Sequence, residues 1–427
     1  MLPRALIALA IPGVAILACG PLPAQAPPAP VAPRIAIIAA ERSGPAIRLV
    51  AVDEHGDRQV ELLAPAAGAA RDTHPAVSPD GRWLVFASSR GRPLDETRLW
   101  IARLGTGAAP RPLTGLPGES IDPRDGGKSP AWADPRDATH GGPLWINPRD
   151  ATRGGVNAPA VPAQRGREGP LWIDAHPAWL PDGSAIVFAS TRDGGDYDLW
   201  RLAIDRATGA PGALTELTHG AGHEVTPAIA PDGAIVYTAV TPDPVSHQVE
   251  THLEERAPDG TIRVITRGPA DSSPAISPDG RWLVFSRPAI HGGTPDAELW
   301  RMARASARSS IDEDLGDDAQ PLVELPLTDE SGPVWSRDGR FVFATSVVRG
   351  ADGHVVFSSI IHVDLRAARP VARMLEDRVG AIVRLTPAMT ATPLDAAALD
   401  RDPDYLPELA RAMAQLIDQA TRATPPN

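Results

Sequence analysis

The chain has 427 residues, a formal net charge of −12, 47 prolines, 38 glycines and one cysteine. An acidic chain without a Lys/Arg cluster has no electrostatic basis for holding nucleic acid, and one cysteine excludes an internal disulfide framework. Apolar residues make up 43%, which suits a packed core and excludes a wholly disordered chain.

The N-terminus reads as an export signal over residues 1–18, with Arg4 followed by the apolar run Ala5 to Ala18. Cys19 stands directly after that run, and Ile16-Leu17-Ala18-Cys19 resembles the lipobox of bacterial lipoproteins. The resemblance implies cleavage before Cys19 and lipid on its thiol, and Gly20 beside it favours the outer membrane. Cleavage after Ala24-Gln25-Ala26 is disfavoured by Pro27. With lipid at Cys19, residues 19–33 form a Pro/Ala-rich, semi-rigid tether.

Three strand-like segments follow, Ile35 to Ile38, Ile47 to Val52 and Val60 to Leu63. One phrase then returns five times: Ser78-Pro79-Asp80-Gly81, Leu180-Pro181-Asp182-Gly183, Ala230-Pro231-Asp232-Gly233, Ser277-Pro278-Asp279-Gly280 and Ser336-Arg337-Asp338-Gly339. Proline or another residue at the second position enters a type I turn, Asp tolerates the third, and Gly supplies the left-handed residue that closes a hairpin. Each copy precedes an apolar run, such as Trp83-Leu84-Val85-Phe86 or Trp282-Leu283-Val284-Phe285. These runs are apolar on both faces, as expected for strands covered above and below by neighbouring blades. A third strand carries Leu99-Trp100, Leu199-Trp200 or Leu299-Trp300, and a fourth ends near Leu113-Thr114, Leu217-Thr218, Ile265-Thr266 or Leu327-Thr328. Four strands per recurring unit describe a propeller blade.

Asp80 and Asp182 are separated by more than twice a blade's length, and residues 119–175 between them read as an inserted loop. At the far end, Arg384 to Met389 resembles Glu224 to Ile229, the opening strand of an internal blade. It is expected to complete the sheet begun at the N-terminus and so remove an exposed edge. The expected fold is therefore an all-β, six-bladed propeller of four-stranded antiparallel blades over residues 34–393, closed by a C-terminal strand. A tail over 394–427 carries a short helix, with Leu406, Leu409, Met413, Leu416 and Ile417 forming its apolar stripe.

The units Pro75 to Ser88 and Arg192 to Trp200 resemble the WD-like β-propeller repeats of the TolB family. The resemblance implies a monomeric, non-enzymatic envelope propeller that binds protein, including a Tol-Pal-like lipoprotein partner. The chain departs from the family in showing a lipobox and no α/β domain ahead of the propeller.

No nucleophile elbow, phosphate loop or zinc-protease motif occurs. The tail after Pro393 is too short for the hydrolase domain that follows such repeats in some peptidases. His74 and His176 stand in one slot, just before the Pro that opens a blade, with Glu224 near the analogous slot. These three are the candidate channel-mouth binding residues. Channel histidines with a divalent ion serve oligogalacturonate lyases of the same repeat type, so the competing expectation is a metal-dependent carbohydrate-active enzyme using His74, His176 and Glu224. Asp193, Asp196 and Asp198 fit a strand-connecting turn, and Trp100, Trp200 and Trp300 fit core packing. The sequence thus describes a lipid-anchored, protein-binding propeller at the periplasmic side of the outer membrane, without catalytic residues, metal or cofactor.

Overall fold

The computed structural model describes residues 35–387 except 44, 54–57, 60–61, 65, 106–108, 115–172, 193–195, 221, 243–248, 267–269, 292–293, 305–317, 326–327, 350–354, 368–369 and 379–381. The export signal, Cys19, the tether, most of the 119–175 insertion and the C-terminal helix lie outside the described residues.

Five blades are each built from four consecutive antiparallel strands. Blade 1 holds β4 (Asp72–Val77), β5 (Trp83–Ser88), β6 (Arg98–Arg103) and β7 (Arg111–Pro112). Blade 2 holds β8 (Asp174–Trp179), β9 (Ala185–Ser190), β10 (Asp198–Ile204) and β11 (Pro211–Glu216). Blade 3 holds β12 (His223–Ile229), β13 (Ile235–Pro242), β14 (Val249–Arg256) and β15 (Ile262–Val264). Blade 4 holds β16 (Ser272–Ile276), β17 (Trp282–His291), β18 (Thr294–Ala303) and β19 (Gln320–Pro321). Blade 5 holds β20 (Asp329–Trp335), β21 (Phe341–Arg349), β22 (Val355–Asp364) and β23 (Ala372–Arg378).

The expected count of six needs qualification, because the remaining sheet is not a blade of consecutive strands. It joins β1 (Ile35–Ser43), β2 (Ala46–Asp53) and the two-residue β3 (Arg58–Gln59) to β24 (Ile382–Pro387) from the other end of the described chain. Thr386 faces Ile38 and Arg384 faces Ala40 in that antiparallel ladder. The innermost strands follow one another around a channel, β24 lying against both β20 and β4. β8 opens at Asp174, so the insertion ends sooner than residue 175.

The turn motif behaves as its residue types dictate. Gly81, Gly183, Gly233, Gly280 and Gly339 all take positive φ, between 67° and 86°, a region where other residues are strained. In three copies a serine locks the turn: Ser78 Oγ donates to Asp80 at 2.7 Å and accepts from the Trp83 amide at 2.9 Å. Ser277 and Ser336 repeat the arrangement. A Cβ on Gly280 would stand 3.1 Å from Pro231 Cδ, one on Gly339 3.6 Å from Pro278 Cδ. The turns at Gly183, Gly280 and Gly339 thus pack on the turn of the preceding blade, while Gly233 faces Pro258 of its own blade.

Between blades 1 and 2 the second strands are buried throughout: Trp83 to Ser88 and Ala185 to Ser190 show no exposed position, whereas Trp282 at the start of β17 is exposed. Ile186 and Phe188 of blade 2 pack against Val85, Leu99 and Ile101 of blade 1. Indole N–H groups tie neighbouring blades: Trp179 donates to the Ala76 carbonyl at 3.0 Å and Trp335 to that of Ala275 at 3.1 Å. Trp200 is 9% exposed in the core between blades 1 and 2, under the Arg192 guanidinium at 5.1 Å. Its packing role is thereby established, while Trp100 and Trp300 are half-buried at core edges. Truncating such a side chain removes its transfer energy and leaves a cavity. Trp200→Ala is expected to destabilise the propeller by about 3–5 kcal/mol in urea unfolding; an unchanged midpoint would show that the site is not core.

Candidate functional site

The opening strands of the five blades share a pattern that the turn motif does not include. Each runs acid, any residue, a variable residue, then proline: Asp72 to Pro75, Asp174 to Pro177, Glu224 to Pro227, Asp271 to Pro274 and Glu330 to Pro333. In every one the ladder slips at the last two positions. Thr73 pairs with Ala87 and Ala76 with Val85, so His74 and Pro75 together oppose Phe86. His176-Pro177, Thr226-Pro227, Ser273-Pro274 and Gly332-Pro333 do the same in their blades. Two residues against one is a β-bulge, and proline is tolerated there because the ladder needs no donor from it.

The bulged residue is left-handed in all five blades. His74, His176, Thr226, Ser273 and Gly332 have φ of 48°, 53°, 51°, 54° and 58°. Only glycine accepts that conformation freely, and each of the other four costs about 1–3 kcal/mol, which the surrounding ladder must offset. The bulge turns these residues and their prolines onto one central cavity of about 360 Å³. Ala178, Ala228, Ile229, Ile276, Trp179 and Trp335 complete much of its wall, with Arg337 at the turn end. The lining includes Pro79 and Pro278, so the cavity opens on the face that carries the hairpin turns.

Of the predicted residues, His74 and His176 meet there. Their rings lie 4.1 Å apart at 74°, edge to face, and both are buried. Glu224 does not join them. Counting back from Pro227 places Thr226 in the histidine slot and Glu224 two residues earlier, in register with Asp72 and Asp174. The expected His74/His176/Glu224 cluster is therefore corrected to a histidine pair in the channel and a carboxyl elsewhere. Thr226 was the channel residue to expect in place of Glu224, and the acid-to-proline spacing was the signal.

No family model matches the sequence, and no curated protein matches it in sequence. Solved structures do. Over 83% of this chain and 66% of the other, the protein superposes on TolB from Acinetobacter baumannii with a TM-score of 0.52 and 15% identity. The fold is a TolB-like β-propeller. Over 83% of this chain and 47% of the other, it also matches hydrazine synthase from Kuenenia stuttgartiensis, with a TM-score of 0.50 and 15% identity. The chain thus spans at most about two thirds of either protein, and a likeness at this identity carries fold alone.

The acids that open the TolB-like blades sit at the opposite end of the strands from the turns, at blade junctions. Asp72 accepts from Ser88 at 2.6 Å and from Arg90 at 2.6 Å. Asp271 takes both ends of the Arg287 guanidinium at 2.7 and 2.8 Å. Asp174 is fully buried and accepts from Ser190, Arg192 and Thr114. Burial alone would raise its carboxyl; Arg192, Arg98 and the two hydroxyls outweigh that and hold it below its ordinary range.

Glu330 goes the other way. It is fully buried, and one carboxyl oxygen accepts from Thr328 at 2.6 Å and Ser346 at 2.7 Å. Burial pushes it well above the usual carboxylate range, the hydroxyls oppose, and Asp329 and Glu298 push it further up. A raised native value means that the folded state holds this proton where the unfolded chain, with Glu near pH ~4.3, releases it. Stability is then fully present below that pH and falls as pH rises through the native value. Glu330→Gln, which cannot ionise, is expected to lose that decline, so its melting temperature should gain on the wild type from pH 5 to 8. Parallel pH profiles for the two proteins would show that Glu330 is ionised in the fold.

Proposed function

We propose that this chain is a lipid-anchored, non-enzymatic propeller of the bacterial envelope that binds a protein or peptide at its channel mouth. The observation that carries the reading is the cavity wall. Five bulges present prolines, alanines and the edges of Trp179 and Trp335, and Arg337 supplies a cation at the rim. A concave apolar surface with a few convergent polar groups suits an extended peptide or a loop of a partner. The left-handed residues are preorganised by the ladder, so binding there orders little of the receptor.

The competing reading, a metal-dependent carbohydrate-active enzyme in the channel, keeps His74 and His176 and loses the carboxylate that was to complete its ligand set. The pairing of β24 with β1 supports a rigid receptor, since it joins the two ends of the described chain in one sheet and covers the edge that β1 would otherwise expose. Lipid on Cys19 would hold the propeller at the outer membrane, the Pro/Ala tether letting it stand off the bilayer. The partner in this reading is another envelope protein of Tol-Pal type, and the propeller acts as a monomer.

Two measurements test this. Cys19→Ser is expected to move the protein from the membrane to the soluble envelope fraction; retention in the membrane fraction would remove the lipid anchor. A photo-crosslinking residue at Arg337 is expected to capture one defined envelope protein in intact cells, and Ile276→Glu, which charges the cavity wall, should abolish that capture. Equal capture from the exposed position Val371, just before β23, would show that the channel mouth is not the docking site.

A further inference from the structure

The junction of blades 1 and 2 and that of blades 2 and 3 are built on the same plan with opposite charge. At the first, the buried Asp174 lies among Arg98, Arg192 and the Thr114 hydroxyl. At the second, Glu224 takes the place of Asp174, and Thr218 donates to it at 3.1 Å as Thr114 donates to Asp174. The amides of Leu99 and Leu199 donate to Thr114 and Thr218 alike, which fixes the correspondence of the two sites. Asp198 then stands where Arg98 stood. Asp174 pairs with Ser190 and Glu224 with Ala239, so Thr241 stands where Arg192 stood. Two guanidinium positions of the repeat have become an acid and a threonine, and Glu224 is held there by Thr218 and by a hydrogen bond with Asp198.

The same junction gathers ligands for a cation. A carboxyl oxygen of buried Asp198, one of Glu216 and a ring nitrogen of His219 all lie within 4.8 Å of one another. Glu216 ends β11 and His219 follows it, their side chains 3.3 Å apart. We propose that this junction binds a divalent transition ion through Asp198, Glu216 and His219, with Glu224 behind Asp198 as a further carboxyl. One imidazole with carboxylates suits Mn²⁺ or Zn²⁺ better than the all-oxygen sets that Ca²⁺ and Mg²⁺ prefer. The ion would supply the positive charge that Arg98 and Arg192 supply one junction earlier. This site is distinct from the channel histidines and stands independently of the peptide-binding reading.

The test is calorimetric titration of the purified full chain with Mn²⁺ and with Zn²⁺, alongside thermal melts. One equivalent of ion should bind and raise the melting temperature, and chelator should reverse the rise. His219→Ala, a change at an exposed position, should weaken binding at least ~10-fold, the scale seen when groups around a metal are lost. Asp198→Arg, which restores the plan of the preceding junction, should abolish binding and the metal-dependent rise. Binding unchanged in His219→Ala, binding lost instead in a His74→Ala/His176→Ala variant, or no binding of either ion by the wild type would each overturn the proposal.

Discussion

The bulge in each opening strand is the constraint on which both ends of this propeller depend. In a regular strand, residues two apart share a face. Here the acid and the variable residue before proline are two apart, yet one serves a blade junction and the other the channel. The extra residue and its left-handed backbone break the alternation and make that division. Without it, a carboxyl and a channel side chain would compete for one surface.

The bulge also explains the chemistry of the junctions. It leaves five acids where packed sheets converge and little water reaches, and a buried charge must be neutralised or hydrogen-bonded. Asp72, Asp174 and Asp271 are met by Arg90, Arg192 and Arg287. Glu330 is met by hydroxyls only and holds its proton instead. Glu224 lies against the acidic group of Asp198 and is pushed up by burial, with Glu254 and Asp196 adding to the rise. One backbone device therefore yields three electrostatic outcomes, chosen by which residue occupies two or three neighbouring positions.

At the other end of the strands the same device makes a wall of prolines and small side chains, stiffened by the interlocked turns. The strain of four non-glycine residues in left-handed backbone persists because ladder bonds on either side overdetermine it. Such a surface changes shape little when occupied. That rigidity connects the repeat to a receptor role, and the variable residue in each bulge (two histidines, a threonine, a serine, a glycine) sets what the wall recognises.

Local chemistry alone determined much of this protein. The Pro-Asp-Gly turns, the doubly apolar second strands and the recurrence of whole units specify a blade, because turn geometry and burial on both faces act within a few residues. The return of the chain through residues 382–387 was also legible, as Arg384 to Pro387 repeats the pattern of an opening strand. What only the tertiary structure decided was the membership of each site. The ladder slip before proline moved Glu224 out of the channel and into register with Asp174, and this depends on pairing with β13. The approach of Asp198, Glu216 and His219 depends on where the end of β11 meets the start of β10 across a blade. A linear pattern states which residues recur; pairing register and the convergence of neighbouring sheets determine which of them touch.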